Sequence, residues 1–195
     1  MSGKAGEAGQ RAQIVLLNGV GSAGKSSIAR ALQDAVATPL LHVQMDSFLE
    51  MLPARFANHP ETFSFTPVAT DGPPEVAISG GTLGTQLMRG MRAAVQALAS
   101  EGLNLIVDDV LMGSADPGMA EYRRLLAGFD LHTVGVFAHL ETLEQREKAR
   151  GDRMIGLARW QYDRVHAGMD YDLVVHSDSR TPAEIAGEII TNFGL

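Results

Sequence analysis

The chain has 195 residues, a formal net charge of −7 at pH 7 and no cysteine. That length suits one domain with a full hydrophobic core. A composition of 45% hydrophobic and 20% charged residues is that of an ordinary globular protein. The lack of cysteine excludes disulfide frameworks, cysteine nucleophiles and thiolate metal sites. The acidic balance argues against a nucleic-acid partner attracted by the overall field of the protein.

The first 13 residues are polar and rich in glycine and alanine. We therefore expect a disordered tail over 1–13 and a single domain over 14–195. The longest apolar runs, such as 103–107, fall far short of the ~20 residues that a membrane-spanning helix requires, so no membrane partner is expected. Because the first residues also lack the apolar core of a signal peptide, we expect a cytoplasmic protein.

Short apolar runs then alternate with longer stretches of helical periodicity. The predicted strands are 14–17, 40–45, 103–107, 133–137 and 173–175. The predicted helices are 25–36, 82–100 and 182–191. Continuous apolar strands separated by helices indicate an α/β fold, in which helices cover both faces of a parallel sheet. Ligands of such sheets bind beyond the carboxyl ends of the strands.

Two local patterns refine this outline. Thr181, Pro182 and Glu184 form a capping box that predicts the start of the last helix. The segment 56–81 is rich in proline and glycine, and its apolar residues alternate on both sides of Asp71-Gly72. That alternation is compatible with a small hairpin or flap, and equally with an irregular loop.

A glycine-rich sequence follows the first predicted strand and matches the pattern G-x-x-x-x-G-K-[ST] in full. Its glycines let successive N–H groups point at phosphate oxygens, and the helix that follows presents its positive end to the same anion. The lysine would reach the β- and γ-phosphates, and the serine hydroxyl would bind Mg²⁺. The predicted ATP-binding residues are Gly19, Val20, Gly21, Ser22, Ala23, Gly24, Lys25, Ser26 and Ser27.

Carboxylates follow two further strands. The third strand ends in Asp108 and Asp109, of which we favour Asp108 for the Mg²⁺ shell and Asp109 for a contact with the acceptor. Asp46 follows the second strand, which we expect beside the first. Because Ser47 and Glu50 form a capping box, Asp46 is not needed as a helix cap. It could instead act as the base for an attacking hydroxyl.

The segment 146–164 holds six basic residues against three acidic ones, a local exception to the acidic balance. Arginines on a mobile lid can offset charge that develops on a transferring phosphoryl group. We predict this role for Arg150 and Arg153, on a lid over 146–160. For Arg159 and Arg164 we favour a solvated helix face with ion pairs.

Together these segments resemble chloramphenicol phosphotransferase over nearly the whole chain after the tail. The resemblance rests on residues 17–26, 43–48, 106–110 and 149–153. It implies a P-loop fold of the nucleoside-monophosphate-kinase type with a five-stranded parallel sheet. It also implies transfer of the ATP γ-phosphate to the primary hydroxyl of chloramphenicol, with Asp46 as base, Lys25 in the P-loop, and Arg150 and Arg153 on the lid.

The acceptor pocket would be apolar, with Phe48 and Met51 among its residues together with part of the flap. Two alternatives stay open. The acceptor could be a nucleotide-sugar, as for zeta-type toxin kinases, or a metabolite. The chain could also be a nucleotide-binding regulatory module without an acceptor, although it has no Asn-Lys-x-Asp guanine motif. The partners expected are therefore ATP with Mg²⁺ and a small-molecule acceptor.

Overall fold

The computed structural model of the protein describes residues 11–151 and 154–195. Its core is a five-stranded sheet with the strand order β2-β5-β1-β6-β7, in which every pairing is parallel. The strands of this sheet are β1 Gln13–Asn18, β2 Leu40–Gln44, β5 Asn104–Asp109, β6 Asp130–Phe137 and β7 Leu173–His176. This confirms the predicted α/β fold with a five-stranded parallel sheet.

Seven α-helices within the described residues connect the strands and cover the sheet. They are α1 Lys25–Ala35, α2 Met45–Glu50, α3 Thr82–Ser100, α4 Pro117–Leu125, α5 Leu140–Arg150, α6 Leu157–Tyr162 and α7 Pro182–Phe193. The capping box at α7 is present, because the Thr181 hydroxyl accepts from the Glu184 N–H and the Glu184 carboxylate accepts from the Thr181 N–H.

The alternation of side chains along β1 divides the core into two layers. Val15 and Leu17 pack with the apolar faces of α1 and α7, whereas Ile14 and Leu16 pack with α3 and α4. All four side chains are completely buried. The two hydrophobic layers hold the carboxyl ends of the strands together at one edge of the sheet.

The segment between α2 and α3 contains an antiparallel hairpin, β3 Phe63–Pro67 and β4 Val76–Gly80. Phe65 pairs with Ile78 in its register, so the alternation in the sequence reflects strands rather than an irregular loop. The hairpin also touches the segment before α6, where the Val76 N–H donates to the Gly156 carbonyl at 3.1 Å.

Three predictions need correction. Gln13 belongs to β1 and Ala12 is buried, so the predicted tail extends too far; residues 1–10 lie outside the described residues. The capping box of Ser47 and Glu50 is wrong, because α2 begins at Met45 directly after β2. Strand β2 does not lie beside β1, since β5 lies between them.

Within the described residues, every helix is too short or too polar to cross a bilayer.

Candidate active site

A cleft of about 470 Å³ lies beyond the carboxyl ends of β2, β5 and β1. Its walls come from the loop between β1 and α1, from the start of α2, from the end of β5, from α5 and from the β7–α7 loop. The chemistry-bearing residues that line it are Lys25, Ser26, Asp46, Asp108, Arg146, Arg150, Ser177 and Arg180. The cleft therefore brings together residues far apart in the sequence, including most of those that the sequence singled out.

The loop of residues 19–26 (the P-loop) has the backbone geometry that its glycines predict. A Cβ at Gly19 would lie 2.5 Å from the Val136 carbonyl oxygen, so only glycine fits there. Gly24 has a φ of 92° and Ser22 a φ of 66°, both in the left-handed region. The first N–H groups of α1 have no acceptor within the helix, and they point beyond its N-terminus. The loop is thus shaped as an anion cradle at a helix N-terminus.

Lys25 reaches back over this loop. Its side chain is buried, and its Nζ donates to the carbonyls of Gly19 at 2.8 Å and Val20 at 3.3 Å. The same Nζ lies 3.6 Å from the Asp108 carboxylate. The ammonium is therefore held between the loop and β5, close to the anion cradle.

Asp108 is fixed by hydroxyl and cationic neighbours. The Ser26 hydroxyl donates to its Oδ2 at 2.7 Å. Burial by itself would raise the pKa of Asp108, but the Lys25 ammonium, the nearby His42 ring and the hydrogen bond from Ser26 hold that pKa below its usual range. The group is thus an anion at neutral pH, paired with a hydroxyl at the edge of the cleft.

Asp109 does not line the cleft, contrary to the expected acceptor contact. Successive strand residues point to opposite faces, and the Asp109 carboxylate accepts from the Tyr122 hydroxyl at 2.9 Å and from the Val110 N–H at 2.7 Å. Burial raises its pKa, although the Arg92 guanidinium opposes that shift. Its place in the structure is the layer between β5 and α4.

Asp46 lies in the first turn of α2 and lines the cleft together with Gln44 and Met45. Gln44, the last residue of β2, pairs with Asp108 in the sheet. Because α2 begins at the next residue, its first turn lies close to Asp108 and Ser26. Asp46 reaches the cleft across the end of β5 rather than from a strand beside β1.

The structure describes three of the four arginines that the sequence singled out in the basic segment. Arg150 lines the cleft at the end of α5. Arg153 lies outside the described residues. Arg159 pairs with Glu144 at 2.6 Å, and Arg164 lies 3.8 Å from Glu75; neither lines the cleft.

Three further residues of the site were missed. Arg146 lines the cleft and donates to the Ser177 hydroxyl at 3.0 Å and carbonyl at 2.7 Å, one turn before Arg150 on α5. His42 places its Nε2 3.8 Å from the Asp108 carboxylate. Gln161 accepts a hydrogen bond from the P-loop. Arg146 could have been found from its one-turn spacing to Arg150, whereas nothing in the sequence signals the other two.

On the other side of α2, Phe48 is half-buried against the layer formed with α3, and Met51 is largely exposed. Neither residue is among those that line the cleft. Their predicted contact with an acceptor therefore stays a prediction.

A complete P-loop between the first strand and first helix of a five-stranded parallel sheet, facing a carboxylate at the end of β5, defines a P-loop kinase. The chain matches the chloramphenicol phosphotransferase-like protein family over residues 12–194, and it belongs to that family. It is a phosphotransferase that acts on a hydroxyl of a small molecule.

Relatives of known name agree with this class. A Mycobacterium tuberculosis protein named "Putative O-phosphotransferase Rv2636" is 30% identical over 182 residues, which cover 91% of this chain and 80% of the relative.

Among solved structures, the fold is similar to the adenylyl-sulfate (APS) kinase CysC of M. tuberculosis in complex with AMPPNP and APS. The TM-score is 0.66 at 16% identity, covering 95% of this chain and 99% of the kinase. A gluconokinase from Sinorhizobium meliloti gives a TM-score of 0.60 at 18% identity, covering 95% and 93% of the two chains.

Proposed function

We propose that the protein transfers the γ-phosphate of Mg·ATP to a primary hydroxyl of an apolar small molecule, with the 3-hydroxyl of chloramphenicol as the first candidate. The observation that carries this proposal is that Asp46 lines the same cleft as the P-loop and Asp108. A carboxylate at that place can accept the proton of an attacking hydroxyl as the γ-phosphoryl group is transferred to it. The cellular outcome would be inactivation of the antibiotic in the cytoplasm.

The donor chemistry of the site fits Mg²⁺ bound as a complex with ATP. The Ser26 hydroxyl and the Asp108 carboxylate are hard oxygen donors 2.7 Å apart. Within residues 11–151 and 154–195 there is no group of three or more metal-ligating side chains, so most ligands would come from phosphates and water. Bound there, the ion would offset charge on the β- and γ-phosphates.

The protein's own groups supply the remaining steps. The P-loop N–H groups and Lys25 would bind the β- and γ-phosphates, and Asp46 would orient the acceptor hydroxyl and take its proton. Arg150 would stabilise the charge that builds on the transferred group, and we propose the same role for Arg153, which lies outside the described residues. Ser177 and Arg180 of the β7–α7 loop also line the cleft, and we place the adenine beside them.

The acceptor would lie beside α2, near Phe48, Met51 and the β3–β4 hairpin. An apolar wall of this kind suits an uncharged aromatic acceptor better than a phosphorylated one. This is the reason for placing chloramphenicol ahead of a nucleotide-sugar.

The test is transfer of labelled phosphate from ATP to chloramphenicol, compared with chloramphenicol acetylated at the 3-hydroxyl. We expect label on the first compound and none on the second. Gluconate and adenylyl sulfate serve as alternative acceptors. Transfer to one of these and not to chloramphenicol would replace the proposed acceptor, and ATP binding without transfer to any hydroxyl would indicate a regulatory module.

A further inference from the structure

The carboxamide of Gln161 makes a contact with the P-loop that the catalytic groups do not explain. Its Oε1 accepts a hydrogen bond from the Gly21 N–H at 2.8 Å, across 140 positions of sequence. Gln161 is 4% exposed, although it stands on a helix of only six residues. A Cβ at Gly21 would lie 3.2 Å from the same oxygen, so the side chain packs closely on the loop backbone.

This bond decides where the Gly21 peptide points. The Ala23 N–H already bonds the Val20 carbonyl inside the loop, and the Gly21 N–H is turned to Gln161. The loop N–H groups of Ser22, Gly24, Lys25 and Ser26 donate to no acceptor among the described residues, and they are left to face an anion. Gln161 thus selects which amides form the cradle by fixing the curl of the loop before them.

The helix that carries Gln161 is itself anchored to the lid. Glu147 of α5 is 3% exposed, and its carboxylate accepts from the Gly156 N–H at 2.7 Å and from the Ala158 N–H at 2.8 Å. Both N–H groups belong to the N-terminal end of α6, where a carboxylate is favourable. Arg150 lies at the end of the same α5 helix, at the cleft. Hydrogen bonds of Glu147 and Gln161 therefore connect α5, the helix that carries Arg150, to the P-loop through α6.

We propose that Gln161 is a positioning residue that sets the shape of the P-loop for the β- and γ-phosphates, and that it ties this loop to the root of the lid. The proposal rests on ATP as the ligand of the cleft. Gln161 itself contacts the loop backbone and not the reacting atoms.

The first experiment compares nucleotide affinities of Gln161→Leu and wild type by calorimetric titration with AMP, ADP and a non-hydrolysable ATP analogue. Leucine has a similar volume but no acceptor. We expect ADP and the analogue to bind about tenfold more weakly, the size of one lost hydrogen bond, with AMP affinity unchanged. Gln33→Leu is the matched control, because it removes a side-chain bond to the Leu40 carbonyl far from the loop.

Two results would overturn the proposal. One is an unchanged affinity for all three nucleotides in Gln161→Leu. The other is an equal loss for AMP and ADP, which is what a general loss of stability would give. If wild type binds no adenine nucleotide, the proposed function fails, and the amide experiment below still tests Gln161.

Hydrogen exchange of the Gly21 amide needs neither ATP nor a folded leucine variant. In wild type this amide is expected to be protected, and Gln161→Glu, which keeps an acceptor oxygen, is expected to preserve that protection. A Gly21 amide that exchanges at the rate of an exposed loop in wild type would show that the bond to Gln161 does not form.

Discussion

Three carboxylates that look alike in the sequence lie in three different environments. Asp108 and Asp109 are neighbours on β5, and their side chains leave opposite faces of the sheet, one toward Ser26 and the other toward Tyr122. The period of two along a strand predicts this split, so only one member of the pair can serve the cleft. Asp46 follows a different strand and lines the cleft from α2.

Replacing Asp46 by asparagine tests its role as the base. The variant keeps the volume and loses the ability to take a proton, so we expect kcat for acceptor phosphorylation to fall by roughly 10²–10⁴ while ATP affinity is retained. Steady-state kinetics and nucleotide titration measure the two quantities. Glu50→Gln, on the exposed end of the same helix, is expected to change neither. An unchanged kcat in Asp46→Asn would contradict the assignment.

Arg150 and Arg159 provide a second matched pair. Arg150 lines the cleft, whereas Arg159 is paired with Glu144 outside it. Removing one cation that stabilises the negative charge on the transferring phosphoryl group lowers kcat by roughly 10²-fold. We therefore expect Arg150→Gln to lower kcat by about that factor. Arg159→Gln should leave kcat unchanged, since its ion pair with Glu144 lies outside the cleft. Equal effects in the two variants would argue against a catalytic lid.

Functional residues can be predicted from the sequence where they belong to one short, continuous motif. The P-loop is one continuous pattern, and its lysine and serine lie where that pattern predicts. Gln161 and His42 act through contacts with residues 140 and 66 positions away, which no local pattern reports. The roles of such residues depend on long-range packing, because only the folded chain brings them next to their partners.

At the level of elements, periodicity was a good guide for α3 and α7, whose apolar faces are buried in the core. It missed α4, and it missed α5 and α6 as separate helices. The buried residues of α5 are Leu143 and Glu147, so it has no continuous apolar stripe. Its position depends on a buried carboxylate instead, and polar anchoring of this kind leaves no hydrophobic pattern to read.

The contact between the hairpin and Gly156, just before α6, gives a prediction at the scale of elements. Gly156 has a φ of 101°, and a Cβ there would lie 2.5 Å from the Pro74 carbonyl oxygen. Gly151 also has a positive φ, 70°, but a Cβ there would meet nothing within 4 Å. Gly151→Ala should cost about 1 kcal/mol of unfolding free energy from the backbone alone, and Gly156→Ala about 2–4 kcal/mol, since the hairpin must also move.

Urea unfolding of the two variants measures this difference. If Gly151→Ala and Gly156→Ala lost similar amounts of unfolding free energy, the hairpin would not pack against Gly156. If the hairpin forms part of the acceptor site, Gly156→Ala should also raise the KM for the acceptor more than the KM for ATP.

For the whole molecule, the parallel sheet follows from alternating apolar strands and helices, but strand order does not. The prediction that the first two strands are neighbours is wrong because β5 inserts between them. The strand order depends on how the crossover connections pack against the sheet, which the strand sequences themselves do not specify. The predicted location of the cleft does not depend on the strand order, because all parallel strands present their carboxyl ends to one edge of the sheet.

Acid stability also belongs to the whole molecule. Burial, opposed by the nearby Val136 backbone and reinforced by the Lys25 charge, lowers the pKa of His166 from 6.5 to about 4. Its ring stacks on Phe137 with centroids 3.7 Å apart, and its Nδ1 lies 2.9 Å from the Tyr171 hydroxyl. The folded protein thus keeps His166 neutral where the unfolded chain would protonate it.

The sign of the effect follows from this difference. Between pH 6.5 and about 4 the unfolded state binds the extra proton, so stability falls as the pH is lowered through that window. Burial lowers the pKa of His132 and acts in the same direction, whereas the raised pKa of Asp109 acts in the opposite one. A comparison with a His166 variant separates these contributions, because the other groups are common to both proteins.

His166→Asn keeps a short polar side chain for the Tyr171 hydroxyl and does not titrate. Between neutral pH and pH 4.5, wild type should lose more unfolding free energy than this variant, by about 1 kcal/mol after allowing for solvent at the partly exposed ring. Urea unfolding at both pH values measures this, with the exposed His176→Asn as the control for substitution itself. Parallel losses in wild type and His166→Asn would show that the ring titrates alike in the folded and unfolded chains, which would contradict its burial beside Phe137 and Lys25.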